Sequence, residues 1–309
     1  MKNSTSENYQ KIEFSSDDEE ETDAQQNTVN NEIQIRLQEN VESIFRTFKE
    51  FMSTPEFINS KGDKTTNIVD RYQGKCYCIP ERRIPTFFKF LEITRRKNLK
   101  IMINEKQLEY SGIMLDFDIK LDHGGQSGIT HTHYHRLCIE VLKLLLKFVR
   151  FPIEELNKQK NIHIGFTKKP KITYDAENNY YKDGIHMLIP GIQITREFKK
   201  FIINTLIEEK TLEKIFREVQ PHKSITRSEF LDLNSAHVPV FFVGSASKIN
   251  TPPYAMEEVY NVQVTVGETD DIIPAKEPDF LQNNTNMCYE FSLNWAKNPD
   301  KGGIIKKKK

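Results

Sequence analysis

Apolar and polar residues are arranged along this chain in segments that predict a mixture of helices and strands. Apolar spacings of three and four predict helices at about 33–52, from Pro85 onward, at about 135–150 and at about 195–218. Short apolar or alternating runs predict strands at 74–80, 110–119, 161–166, 185–190, 239–243 and 258–266. The polar segments 121–135 and 167–184 are predicted to be loops. This mixture of strands and helices predicts an α+β or mixed α/β domain.

The two ends of the chain depart from this pattern. Residues 1–30 contain eight acidic residues and two lysines, a net charge of −6, although the whole chain is formally neutral. Residues 1–31 have too few aliphatic side chains to bury a core, so they are predicted to be a disordered acidic tail. The folded domain is predicted at 32–296. Residues 297–309, which end in four lysines, are predicted to be a flexible basic tail.

Composition makes two classes of protein unlikely candidates for this chain. Its apolar runs stay well below the roughly 18 residues of a membrane span, and its N-terminus does not resemble a secretion signal. We therefore expect an intracellular protein without a membrane partner. Four cysteines are too few to form a disulfide scaffold in 309 residues, which favours a reducing compartment. The pair Cys76 and Cys78 leaves two alternatives open, a structural zinc site or two thiols on one strand face.

The sharpest chemical feature is the sequence Asp116-Phe117-Asp118 in the predicted strand 110–119. Residues i and i+2 of a strand point to the same side, so both carboxylates face away from the apolar residues of that strand. Two neighbouring carboxylates repel each other unless a cation lies between them, and Mg²⁺ or Mn²⁺ prefers such oxygen ligands. The pattern therefore predicts a metal site for phosphoryl or nucleotidyl transfer. A solvated pair on an exposed sheet face is the alternative.

Two further segments carry residues suited to binding phosphate. His186 follows Gly184, whose missing side chain leaves room for a ligand, and a histidine can donate a hydrogen bond to phosphate. The turn from Gly244 to Lys248, with Ser245, offers backbone amides and one cation directly after an apolar strand. The alternatives are a histidine satisfied by a backbone carbonyl and a simple surface turn.

Cations and aromatic rings are interleaved just before the His186 segment. Lys168, Lys169 and Lys171 precede three tyrosines, which is typical of contact with a single-stranded template by charge and stacking. A solvated loop is the alternative. His131, His133 and His135 form another cluster, for which zinc binding or a flexible loop over the active face are both open.

Taken together and in order, these segments resemble a known family, the archaeo-eukaryotic primase domain of the poxvirus-type helicase–primases of nucleocytoplasmic large DNA viruses. The resemblance covers roughly residues 65–270. It rests on Arg71-Tyr72, on 74–80, on Ser111 to Asp118, on Lys182 to Gly191, on Phe242 to Lys248 and on Tyr254 to Tyr260. It implies an α+β primase fold, with an RRM-like palm sheet and an N-terminal α/β subdomain.

The resemblance also implies roles for particular residues. Asp116 and Asp118 match the metal-binding acids of the family, and Asp232 is matched to its third acid. The nucleotide-binding residues implied by position are His186, Gly184, Ser245 and Lys248. The implied cofactor is Mg²⁺ or Mn²⁺. The turn at 244–248 is longer than the family pattern, and Phe241-Phe242 replaces its tryptophan.

The function expected from this resemblance is template-directed nucleotidyl transfer by two metals, as a DNA primase or primase-polymerase of a virus or mobile element. Expected partners are single-stranded DNA, nucleoside triphosphates and a superfamily 3 helicase. That helicase is expected on the same or another polypeptide, because the sequence contains no Walker A pattern. The expected location is the host cytoplasm or nucleus. The alternatives are an inactive primase-like module that docks a helicase onto DNA, and a metal-dependent glycosyltransferase.

Overall fold

The computed structural model of the chain describes residues 41–122, 124, 128–149, 159–216, 219, 230–245, 252–265, 271–283, 286–295 and 300–301. The chain divides into two units, Met1–Lys49 and Glu50–Lys309. The described residues of the first unit are 41–49, and they belong to helix α1 (Val41–Met52). The predicted acidic tail at 1–31 lies outside the described residues, as do positions 33–40 of the first predicted helix.

Short strands of two or three residues form the first sheet, which is antiparallel throughout. In spatial order they are β1 (Ile58–Asn59), β3 (Lys75–Tyr77), β2 (Ile68–Asp70), β4 (Ile103–Glu105) and β9 (Val240–Phe241). Helix α2 (Ile84–Arg96) has Pro85 in its first turn, as predicted. The rings of Phe87 and Phe88 each lie 5.7 Å from that of Phe242, so the helix packs against the residue that follows β9.

The second sheet is larger and is built around one long strand. Its main strands are β5 (Tyr110–Leu121), β6 (Gln159–Lys168), β8 (Tyr180–Thr195), β10 (Ala255–Thr265) and β11 (Asp271–Lys276). Strands β11, β10, β6 and β8 lie side by side, and β5 pairs with the other edge of β8, all antiparallel. The short strand β7 (Thr173–Asp175) also pairs with β8.

A two-residue strand, β12 (Asp300–Lys301), pairs in parallel with positions 192–193 of β8. These two residues are the described part of the stretch 297–309, which the sequence predicts to be a flexible tail. The other residues of that stretch lie outside the described ones.

One face of the second sheet is covered by helices. They are α3 (His131–Phe148), α4 (Arg196–Glu208) and α5 (Thr211–Phe216), and their apolar residues form one buried cluster with the sheet. Alternate residues of β5 point into this core, as the sequence predicts: Ile113, Leu115, Phe117 and Ile119. Among the helices of the described residues, none is both long and apolar enough to cross a membrane.

The opposite face of the second sheet is covered over part of its length. Helices α6 (Pro278–Asn283) and α7 (Met287–Glu290) lie in the region of a second apolar cluster, which includes Met114, Leu188, Val259, Met287, Phe291 and Leu293. Further along β5, Asp116 and Asp118 lie on this same face and remain partly exposed. We call the face that carries these two carboxylates the acid face.

The two sheets are joined by a buried carboxylate. Glu105, at the end of β4, accepts hydrogen bonds from Ser292 Oγ at 2.8 Å and from the backbone nitrogens of Leu293 and Asn294 at 2.9 and 2.6 Å. Burial raises the pKa of Glu105 to about 7 despite these donors. This contact ties the first sheet to the segment that lies over the acid face of the second.

Three of the predicted segments differ from the elements in the structure. The segment 121–135 is not a loop throughout, because α3 begins at His131 with a capping box between Thr130 and His133. The predicted loop 167–184 contains β7 and the first residues of β8. The predicted helix 195–218 is two helices, because Lys210 has a left-handed backbone conformation with φ of 56°.

Candidate active site

The acid face carries the Asp-x-Asp pair near the centre of β5. Asp116 and Asp118 alternate with the buried residues of that strand, so both carboxylates project on the side away from the helices. The side chain of Asp116 is 28% exposed. The predicted placement of the two acids on one strand face is confirmed.

Strand β8 brings His186 and Gly184 directly opposite these acids. In the antiparallel register Asp116 pairs with His186, and Asp118 pairs with Gly184. The Nε2 atom of His186 lies 3.4 Å from Oδ1 of Asp116. The predicted strand 185–190 would place His186 next to its start, whereas His186 lies well inside the 16-residue strand β8, and its acidic neighbour comes from the adjacent strand.

Gly184 leaves the space that the carboxylate of Asp118 occupies. A Cβ atom at position 184 would lie 3.3 Å from Oδ1 of Asp118 and 3.8 Å from the hydroxyl oxygen of Tyr254. The sequence predicts room for a ligand beside this glycine, and the structure places the second acid there.

The imidazole of His186 is held in a stack of three rings. Its ring centre lies 4.0 Å from that of Tyr254 and 6.2 Å from that of Phe241, and the three ring planes are nearly parallel. Only 3% of the surface of His186 is exposed. The Lys169 ammonium lies 5.2 Å from the Tyr254 ring, and the Arg71 guanidinium lies 5.7 Å from the Phe241 ring. Both cations stand within range of a cation–π interaction, so the stack is bordered by positive charge.

The two carboxylates have different electrostatic environments. Burial by itself raises the pKa of Asp116, but the charge and hydrogen bond of His186, together with the charge of Lys169, outweigh it and lower that pKa. Burial and the charge of Asp116 raise the pKa of Asp118, against the opposing charges of Lys182, Lys169 and His186. Like-charge repulsion of this kind is what a bound cation relieves.

The third predicted acid, Asp232, reaches the same strand through its backbone. Leu231 forms an isolated antiparallel bridge with Phe117, and the Asp232 nitrogen donates to the Asp116 carbonyl at 2.9 Å. This register places Asp232 across from Asp116. Its carboxylate accepts from the Asn234 nitrogen at 2.8 Å and caps a short 3₁₀ helix. Its backbone thus lies beside the acid pair while its side chain is engaged locally.

The turn after β9 is built differently from the predicted phosphate cradle. Gly244 has φ of 85°, and its nitrogen donates to the Tyr254 carbonyl at 2.8 Å. The Ser245 nitrogen donates to the Phe242 carbonyl at 2.8 Å, and the Ser245 side chain is fully buried. These two amides are therefore engaged in the protein's own backbone pairing. Lys248 lies outside the described residues.

The predicted template-binding lysines do not form one surface. Lys168 pairs in register with Ile185 on the helix-covered face, where its ammonium lies 3.4 Å from the buried carboxylate of Asp183. Lys169 lies on the acid face over Tyr254, and Lys171 is exposed. Lys168 and Lys169 therefore lie on opposite faces of the sheet.

The histidine and cysteine candidates for zinc are dispersed. His133 stacks on Phe216 with ring centres 5.9 Å apart, whereas His135 meets the edge of the Tyr260 ring. Cys76 and Cys78 are free and half-buried. Among the described residues, no group of three His, Cys, Asp or Glu side chains is close enough to hold one metal ion.

Sequence reasoning did not select Tyr254 and Phe241, and it placed Lys169 with the template rather than with the acids. Tyr254 begins one of the segments that carry the family resemblance, and its place in that segment is the signal that could have identified it as a site residue. Its stacking on His186 arises from two distant segments, so no local pattern contains it.

The α+β fold and the acid pair with its cross-strand histidine define the class to which this chain belongs, the archaeo-eukaryotic primase domains. The model of the family described as "C962R protein N-terminal AEP domain" matches residues 66–260, which is more than half of the chain. The chain therefore belongs to this family, and the resemblance drawn from the motifs is confirmed.

Named relatives come from African swine fever virus. The protein "Putative primase C962R" of isolate Tick/Malawi/Lil 20-1/1983 is 31% identical over 251 residues, which cover 81% of this chain and 24% of that protein. Its counterpart in isolate Warthog/Namibia/Wart80/1980 is 32% identical over 238 residues, covering 77% and 23%. The chain thus spans about a quarter of the length of the curated relatives it matches.

Proposed function

We propose that this chain catalyses template-directed nucleotidyl transfer, as a DNA primase or primase-polymerase, in the replication of a large DNA virus or mobile element. The observation that carries the proposal is the pairing of Asp116 and Asp118 with His186 and Gly184 across two strands. In a chain of the primase family, the acids and the histidine implied by the motifs thereby meet at one place. The names of the relatives support the same activity.

The proposal assigns a role to each sheet. The second sheet, with α3 and α4 on one face, is the RRM-like palm that carries the catalytic acids. The first sheet and α2 are the N-terminal α/β subdomain, which supplies Phe241 and Arg71 to the ring stack around His186. This division is supported by antiparallel pairing throughout the four strands β10, β6, β8 and β5.

Asp116 and Asp118 would hold Mg²⁺ or Mn²⁺. Asp232 is the third acid that the resemblance implies, and its carboxylate would have to leave the Asn234 nitrogen to reach them. The donor set fits such ions, because the two carboxylates are hard oxygen ligands, and burial together with the charge of Asp116 raises the pKa of Asp118. Divalent ions held here supply the positive charge that an in-line displacement needs at the attacking 3′-hydroxyl and the leaving pyrophosphate.

His186, with Gly184 two residues before it on β8, is the proposed contact for the incoming nucleotide. His186 is fixed by its two neighbouring rings and by Asp116, so it can hold a donor in one orientation without rearrangement when the nucleotide binds. Lys169 adds a cation on the same face. Preorganised charge of this kind lowers the barrier because it costs no reorganisation during the reaction.

The proposed partners are single-stranded DNA, nucleoside triphosphates and a superfamily 3 helicase in cis or in trans. The proposed location is the cytoplasm or nucleus of the host cell. Because the chain matches only about a quarter of its relatives' length, the helicase partner and the replication role concern the longer proteins and remain part of the proposal.

A nucleotide incorporation assay tests the proposal. The protein is incubated with single-stranded DNA, Mg²⁺ or Mn²⁺ and labelled nucleotides, with and without a primer. We expect incorporation that is abolished by Asp116→Asn and by Asp118→Asn. Asp122→Asn is the matched control, because Asp122 is an exposed acid just beyond the end of β5. It should leave incorporation unchanged.

Two outcomes would refute the proposal. Full activity of Asp116→Asn or Asp118→Asn would remove the acids from the mechanism. A wild-type protein that binds DNA but incorporates no nucleotide would favour the inactive docking module instead. The glycosyltransferase alternative is disfavoured, because family membership and the acid–histidine pairing both point to nucleotide chemistry.

A further inference from the structure

Two lysines and a tyrosine continue the acid face beyond Asp118. In the register of β5 and β8 the pair after Asp118 and Gly184 is Lys120 and Lys182. Lys120 follows Asp118 by two residues, and Lys182 precedes Gly184 by two residues. Both lysines therefore share the face of the acids, about 7 Å along the strands from the pair of Asp118 and Gly184. Lys182 begins one of the segments that carry the family resemblance, whereas Lys120 lies outside those segments.

The two ammonium groups converge on one aromatic ring. Lys120 Nζ lies 5.1 Å and Lys182 Nζ lies 5.4 Å from the centre of the Tyr180 ring. Two like charges on adjacent strands repel each other, and the ring offsets part of that repulsion through its negative face. The arrangement holds two cations on one surface and is suited to an anion with several oxygens.

One carboxylate already occupies part of this position. Asp175, in β7, lies 2.8 Å from Lys182 Nζ and holds its own place in the turn by accepting from Asn178. This ion pair lowers the pKa of Asp175 to about 2, so the carboxylate is charged at neutral pH. The Lys182 side chain is nevertheless 35% exposed, which leaves its ammonium accessible to a second anion.

We propose that Lys120 and Lys182, assembled on the Tyr180 ring, bind the phosphodiester backbone of the nucleic-acid strand that carries the attacking hydroxyl. The proposal rests on the nucleotidyl transfer proposed above. In that reaction the two substrates approach the acids from opposite sides. The ring stack with His186 lies beside Asp116, on the adjacent strand, and the lysine pair lies beyond Asp118. The nucleotide and the end of the strand therefore each have their own side of the acid pair.

Fluorescence anisotropy with labelled single-stranded DNA tests this contact in EDTA and without nucleotides, over a series of salt concentrations. Lys120→Met and Lys182→Met remove the charge and keep the aliphatic stem. Each substitution should make the negative slope of log K against log salt shallower by about 0.7. The double variant should weaken binding at low salt by about tenfold. Asp175→Asn should tighten binding, because it removes the competing carboxylate and keeps the side-chain oxygen for Asn178.

Matched controls come from α3. Lys143 and Glu140 form an exposed ion pair at 3.0 Å, on a helix that covers the other sheet face. Lys143→Met and Glu140→Gln therefore make the same charge changes away from the acid face, and we expect both to leave the affinity and the slope unchanged. Thermal unfolding of every variant checks that the sheet is intact.

The outcomes separate this inference from the proposed function. A double variant that binds DNA with the slope of Lys143→Met would overturn the inference. So would a double variant that raises the KM for nucleotide and leaves the KM for the primer strand unchanged. Wild-type protein that incorporates no nucleotide, yet binds DNA with a lysine-dependent slope, would refute the proposed function and keep the backbone contact.

Discussion

Gly184 stands where any side chain on β8 would press on the Asp118 carboxylate of the neighbouring strand. A Cβ atom there would lie 3.3 Å from Oδ1 of Asp118, 3.6 Å from the Phe117 carbonyl oxygen and 3.8 Å from the Tyr254 hydroxyl. Only the first of these contacts is tighter than ordinary van der Waals distance. We therefore expect Gly184→Ala to displace the Asp118 carboxylate by a few tenths of an ångström and to leave the backbone in place.

The magnitude follows from that displacement. A misplacement of about 1 Å at a reacting centre costs about a hundredfold in rate, so a smaller shift of an acid proposed to bind metal should lower kcat/KM by about tenfold. Stability should change little. Alanine loses about 0.5–1 kcal/mol less backbone entropy than glycine on entering a strand, which offsets the crowding of the carboxylate. The expected pattern is thus impaired chemistry with a nearly unchanged Tm.

The assay is nucleotide incorporation at several Mg²⁺ concentrations, together with thermal unfolding. Gly191→Ala is the control, because Gly191 lies on the same strand and a Cβ atom there would meet nothing within 4 Å. It makes the same change in backbone entropy and should keep full activity. If Gly184→Ala is as active as Gly191→Ala at every Mg²⁺ concentration, the position of the Asp118 carboxylate does not limit the reaction and the reasoning fails.

Two further predictions concern His186 and the carboxylates of Asp116 and Asp118. His186→Ala should lower kcat/KM for nucleotide by about a hundredfold and leave single-stranded DNA affinity unchanged, whereas the exposed His163→Ala should change neither; loss of DNA binding would instead assign His186 to the template. The folded-state pKa of Asp118 is raised, so its contribution to stability is lost as pH rises above about 3.8. That of Asp116 is lowered, so its contribution is present at neutral pH. Without metal at pH 7, Asp118→Asn should therefore raise Tm by about 1–3 °C and Asp116→Asn should lower it; equal shifts would contradict the assignment.

The parts of the site that sequence alone could predict are those fixed within one strand. Alternation along β5 assigns Asp116 and Asp118 to one face and Phe117 to the other, because a period of two is a local property of the chain. Pairing across strands is not local. The contact between His186 and Asp116 depends on the register of two strands separated by a helix and two other strands, and no spacing in the sequence encodes it.

The errors in the predicted elements also have physical causes. The segment 167–184 is polar and was predicted to be a loop, yet Lys182 and Asp175 satisfy each other across β7 and β8 and allow a charged hairpin to form. At the start of α3, His133 takes the place that glutamate or glutamine usually has in a capping box, so the helix signal was hidden. The two- and three-residue strands of the first sheet are too short to show any periodicity.

At 195–218 the sequence predicts a helix that exists, but it misses a break within that helix. Leu206, Leu212 and Phe216 all lie in the core, although the helix is interrupted between Leu206 and Leu212. The interruption at Lys210 is a single left-handed residue, and a lysine is not among the residues that announce such a turn. Hydrophobic spacing thus located the buried side correctly and could not locate the break.

Charge balance on the acid face bears on how substrates enter it. Among the described residues, lysines and aspartates alternate on and around this face, including Lys120, Lys169, Lys182, Asp116, Asp118 and Asp175. A divalent cation arriving alone meets carboxylates that nearby ammonium groups already stabilise, which weakens its attraction to them. A cation bound to a triphosphate brings a net negative charge, which the same lysines attract. Under the proposed function, the arrangement would favour entry of the metal together with the nucleotide, and it would leave the lysine pair beyond Asp118 to the phosphates of the nucleic-acid strand.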